Sequence, residues 1–173
     1  MKTTISALVI VLSFAAQAAD KYTEQMTTNI GLVYKAQTVE ELAQAVNAFE
    51  RIGNAEKIRW EPFYYAAFGN IMIANREADG VKKDGYLDQA KNFIEKASAI
   101  NPGESEILAL EGFMHTIRLT VDPATRGQQY SMLSMQAFGK ALSLNPNNPR
   151  AMSLMAQMQY GTAQFFNSST AEA

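Results

Sequence analysis

Apolar side chains recur at steps of three and four along most of this chain, and no stretch alternates apolar with polar residues long enough to read as a strand. Such a period puts the apolar positions on one face of a helix. The pattern predicts helices from Tyr22 to Tyr34, Val39 to Ile52, Glu61 to about Glu77, Tyr86 to Ile100, Glu104 to about Leu119, Gln129 to Leu144 and Pro149 to about Phe165. Local chemistry supports several of the starts. Thr38 with Glu41 three residues later forms a capping box, and Pro62 falls in a first turn, where its missing N–H costs nothing.

The pattern also repeats. Lys96-Ala97-Ser98-Ala99-Ile100-Asn101-Pro102 matches Lys140-Ala141-Leu142-Ser143-Leu144-Asn145-Pro146 without a gap, 44 residues later. A weaker copy lies upstream, where Ala45, Phe49 and Ile52 precede Ala90, Ile94 and Ala97 by 45 residues. The two strong copies have a small residue, a large apolar one four later, an alanine three after that and a proline five further on: Ala90, Ile94, Ala97, Pro102, then Ser134, Phe138, Ala141, Pro146. The small residues let two helices approach, the large one fills the gap, and proline lies just past the helix it cannot continue.

This spacing resembles the second helix of the tetratricopeptide repeat. Leu108 with Gly112, Met152 with Ala156 and Phe63 with Ala67 resemble the matching positions of the first helix, whereas the aromatic often found three residues later is replaced by Asn70, His115 and Gln159. The length of the unit alone would suit HEAT-like repeats, but they give no reason for the alanine and proline spacing. The resemblance implies an all-α fold, a right-handed superhelical stack of antiparallel helix pairs in units of about 21–55, 56–102, 103–146 and an incomplete 147–173. A typical unit has about 34 residues, so about ten are extra. They are expected as loops at 79–85 and 121–127, both rich in turn residues and replaceable without loss of helix.

The start of the chain has a different character. Lys2 precedes an apolar run from Ile5 to Phe14, followed by Ala16-Gln17-Ala18. A charged start, a short apolar core and small residues at a cleavage site predict an export signal over 1–18, cut between Ala18 and Ala19, and leave 19–173 as the folded domain. The run is too short to span a bilayer, so stable membrane insertion is not expected after cleavage. A periplasmic or secreted location follows. With no Cys among 173 residues, disulfides, thiol chemistry and a cysteine-linked lipid are all excluded. A formal net charge of -2 and a single adjacent basic pair, Lys82-Lys83, argue against a nucleic-acid partner.

Little points to catalysis. One His rules out a two-histidine zinc site, and no phosphate loop or nucleophile elbow is present. His115 continues the face of Leu108 and Gly112 and is expected to be a packed histidine. Asp79, Asp84 and Asp88 lie close in sequence but lack the order of a calcium loop. No enzyme, metal or cofactor is expected. In tetratricopeptide proteins the first helices line the concave groove, and by that resemblance the groove here runs through Glu61, Tyr64, Phe68 and Ile71, then Glu106, Ala109, Phe113 and Thr116, then Arg150, Ser153, Gln157 and Tyr160.

An aromatic groove with few charges suits a peptide or partner protein, so a non-catalytic scaffold is the expected function. The alternative is an enzyme or small-ligand binder with a site built from the two extra loops. The chain also ends with one helix of a fourth pair, carrying Met152, Met155, Met158, Phe165 and Phe166, with Ser169 or Thr170 placed to cap a further helix. Uncovered apolar residues there are expected to be met by more chain or by self-association.

Overall fold

Seven helices account for most of residues 20–165, the part of the protein that a computed structural model describes. They are α1 (20–35), α2 (Val39–Glu56), α3 (Glu61–Arg76), α4 (Gly80–Ile100), α5 (Ser105–Leu119), α6 (Pro123–Leu144) and α7 (Pro149–Phe165). No strand occurs among the described residues, and the fold is all-α. The expected export signal, Phe166 and the Ser169 or Thr170 cap lie outside them. No described helix is long and apolar enough to cross a membrane.

The helix starts are explained by local hydrogen bonds. Thr38 and Glu41 form the capping box, with Glu41 N–H donating to Thr38 Oγ1 at 3.1 Å and Thr38 N–H donating back to Glu41 Oε2 at 3.3 Å. Asn148 is fully buried at the head of α7 and accepts from Ala151 N–H at 2.9 Å. Its Nδ2 donates to Ser105 Oγ, which donates in turn to the Ala141 carbonyl. One relay thus satisfies three buried polar groups and ties together α5, α6 and α7.

Helices α2 to α7 each pack against the next in sequence, and α3 also touches α5 and α5 touches α7. The backbones of α2, α4 and α6 stay farther apart, and these helices meet through the ion pairs of Lys96 with Glu50 and of Arg126 with Asp84. α3, α5 and α7 therefore form one inner layer of the stack. Small residues allow the close approaches. A Cβ added at Gly112 would fall 2.6 Å from Phe138 Cδ1, and one at Gly69 would fall 2.5 Å from Val46 Cγ2. Ala90, Ile94, Ala97, Ser134, Phe138 and Ala141, the positions of the repeated pattern, are all buried.

The two extra segments are not loops. Residues 80–85 form the start of α4 and 123–127 the start of α6, so the added length extends the second helices, to 21 and 22 residues against 16 and 15 for α3 and α5. The physical reason is capping. Asp79 accepts from Lys82 N–H and Asp122 from Thr125 N–H, and Pro123 occupies the first turn of α6. Residues that signal a turn also signal a helix start, and here they do the second.

A charge cluster holds these extensions together. Arg118 of α5 reaches Asp84 Oδ1 at 3.2 Å and Asp88 Oδ1 at 2.7 Å, while Arg126 of α6 reaches Asp84 Oδ2 at 2.7 Å. Two of the three clustered aspartates are thereby engaged by guanidinium groups, and no cluster that could hold a metal ion occurs among the described residues. Arg118→Ala is expected to cost about 1.5–3 kcal/mol in a thermal melt, because it strips a charged hydrogen-bond donor from Asp84. Replacing 121–127 by a Gly-Ser turn should lower helix content as well, since it removes Arg126 and the first turn of α6.

At the C-terminal end α7 leaves Met152, Tyr160 and Phe165 exposed.

Candidate functional site

The inner helices enclose a groove of about 480 Å³, lined by Phe68 and Met72 of α3, Phe113 of α5, and Pro149, Arg150, Ser153 and Leu154 of α7. Its volume is within the range of small-molecule sites. The lining follows helix geometry. Phe68 and Met72 are one turn apart, as are Arg150 and Leu154, so each pair presents a continuous strip to the groove.

Aromatic rings continue outward from this floor. The Tyr34 ring of α1 lies 5.6 Å from that of Phe68, and Tyr64 meets Tyr65 edge to face at 5.1 Å. Tyr64 and Phe68 are themselves mostly buried, whereas Tyr34 is exposed. Flat aromatic faces at this spacing suit a flat apolar ligand more than a chain of hydroxyls, because stacking and area burial supply the attraction.

One polar cluster interrupts the apolar surface. Arg150 Nε donates to Glu106 Oε2 at 3.0 Å, and the Tyr64 hydroxyl donates to the same oxygen at 3.0 Å. The guanidinium carbon sits 5.5 Å from the Phe68 ring centroid and 5.9 Å from that of Tyr64, in cation–π range. Burial pushes the Tyr64 phenol well above its ordinary pKa, and the opposing pull of Arg150 is outweighed. Tyr64 is therefore a neutral donor at physiological pH. For Arg150, burial disfavours the charge, but Tyr64, Tyr34 and Glu106 around it raise its pKa overall. It is a fixed cation on the wall of an apolar groove.

The residues singled out from sequence are distributed as follows. Tyr64, Phe68, Glu106, Phe113, Arg150 and Ser153 meet in or beside the groove. Ile71 is fully buried and has no surface to offer, and Ala109 is likewise enclosed. Thr116 turns toward α6, where its hydroxyl shares a 2.7 Å hydrogen bond with Ser134. Glu61 is half-buried at the start of α3. Gln157 and Tyr160 are exposed farther along α7, engaged with Ser153 and Gln164 on their own helix. Tyr34, Met72, Pro149 and Leu154 were not anticipated. Extending the strips from Phe68 and Arg150 by one turn finds Met72 and Leu154, but no sequence signal sets the register of α1 that brings in Tyr34.

His115 stands apart from this site. It lies two residues from Phe113, which places the two on different sides of α5. Its ring stacks against Tyr130 of α6 at 5.8 Å, and its Nε2 is 3.9 Å from Glu111 Oε1. The imidazole of His115 beside it lowers the Glu111 pKa despite partial burial. A second depression, about 400 Å³ between α1 and α2, is lined by Gln25, Asn29, Ala48, Arg51, Ile52 and Ala55 and has no aromatic wall.

The fold is all-α, with an open groove that carries one cation as its candidate site. No family model matches the sequence, and no curated protein matches it. Among solved structures the chain is similar to the HusA haemophore from Porphyromonas gingivalis, with 32% identity over 83% of this chain and 71% of that one and a TM-score of 0.73. The chain belongs to the family of that haemophore.

Proposed function

We propose that this protein is a non-catalytic carrier of a flat, largely apolar ligand of the tetrapyrrole class, haem in the first instance. The observation that carries the reading is the aromatic groove, with Phe68 and Phe113 on its walls, Tyr34 at its edge and Arg150 as its fixed cation. A haemophore in the same family supplies the ligand class. The groove is open and presents one charged cluster, which suits holding and release better than bond-making chemistry. Export behind a cleaved signal over 1–18 agrees with a carrier role and is part of the proposal.

The chain's one histidine plays no part in this reading, because His115 faces α6 and Glu111. His115→Ala is expected to leave haem affinity within roughly twofold of the parent, a change of under about 0.5 kcal/mol. Absorbance titration would read this directly, and a larger loss would move the ligand to the other side of α5.

The second reading is a tetratricopeptide-like scaffold that docks a peptide or protein in the same groove. It is favoured by the flexible apolar side chains there, Met72 and Leu154, which can repack around an amphipathic segment. Titration of the purified protein with haem separates the two. Saturable binding at one haem per chain supports the carrier, and the absence of binding leaves the scaffold.

A further inference from the structure

We infer that the ligand of this groove is recognised through a carboxylate that pairs with Arg150, and that Glu106 is the protein's own anion on the same guanidinium. The inference rests on the carrier reading and adds a specific contact to it. Arg150 is the cation on a lining that is apolar apart from Ser153, it projects from the first turn of α7, and its guanidinium already lies over the Tyr64 and Phe68 rings. A flat ligand lying in the groove against Met72, Phe113 and Leu154 brings an acidic substituent at its edge within reach of the guanidinium. Nε is spent on Glu106 at 3.0 Å, but a guanidinium carries five donors in a fixed fork, and a carboxylate takes two of them side by side.

Charge arithmetic gives Glu106 its role. The cluster holds one cation, Arg150, one anion, Glu106, and one neutral donor, Tyr64. A ligand carboxylate adds a second anion beside a single cation, so Glu106 opposes the ligand even while it keeps Arg150 extended along the wall. Removing its charge while keeping an oxygen that can accept from Arg150 and Tyr64 should strengthen binding of an acid and leave a neutral analogue unaffected.

The test compares haem with its dimethyl ester on the parent protein, Glu106→Gln and Arg150→Met, each checked for an unchanged helical spectrum. The parent should bind the acid about tenfold or more tightly than the ester. Arg150→Met should remove most of that difference by weakening the acid alone. Glu106→Gln should bind the acid severalfold more tightly than the parent and the ester equally. Equal binding of acid and ester by the parent overturns the carboxylate contact and leaves the carrier reading standing, whereas binding of neither form overturns the carrier reading itself. If Arg150→Met does not fold, Glu106→Gln decides the matter, because weaker acid binding by that variant contradicts the opposing role assigned to Glu106.

Discussion

Truncating Phe138 to alanine is expected to destabilise the protein by about 3–5 kcal/mol, the range for a fully buried aromatic. Phe138 is wholly inaccessible and its ring edge rests against the backbone of α5 at Gly112. The reciprocal change should be costly for the opposite reason. Gly112→Val places side-chain atoms where the Phe138 ring now sits, and overpacking of this kind costs about 1–3 kcal/mol. The two sites touch, so their effects should not add. A melt of the double variant Gly112→Val with Phe138→Ala should recover part of the loss, since the valine fills space the ring has left. Strict additivity across the four melts would mean that α5 and α6 do not meet at this point.

The second large effect concerns binding. Ser153 is exposed on α7 and lines the groove beside Leu154, facing the strip of Phe68 and Met72. Ser153→Trp puts an indole into the space a flat ligand needs, while disturbing no buried contact. Haem affinity should fall by more than about tenfold, or about 1.4 kcal/mol, with a melting temperature close to that of the parent. Unchanged affinity by absorbance titration would place the ligand elsewhere.

The helices were legible because their signal is local. Steps of three and four mark a buried face whatever lies opposite, and the alanines and prolines at Ala97, Pro102, Ala141 and Pro146 mark where helices cross and stop. The segments 79–85 and 121–127 were misread for an equally local reason. Asp, Gly and Pro serve both turns and helix starts, and only the ion pairs of Asp84 with Arg118 and Arg126, which join three helices, decide between them.

The groove was half legible. Phe68, Phe113 and Arg150 follow from the first-helix face, but Ile71 and Thr116 share that face and point into the protein, because helix crossing turns part of the stripe inward. Glu106, Tyr64 and Arg150 lie 42 and 44 residues apart in pairs, and no periodicity within one helix shows that they share an oxygen atom. The proposed class of ligand has no signal in the sequence. A peptide was expected from an aromatic groove, and only the cavity's dimensions and the kinship with a haemophore point to a flat small molecule.

The central claim, that a tetrapyrrole lies in the groove between α3, α5 and α7, can be tested by nuclear magnetic resonance of the methyl-labelled protein titrated with ferric haem, whose paramagnetic iron broadens nearby signals. The account predicts that the methyls of Met72 and Leu154 broaden first, at one haem per chain, while that of Ile52 beside the α1–α2 depression stays sharp. Broadening centred on Ile52, with Met72 and Leu154 unaffected, would contradict it.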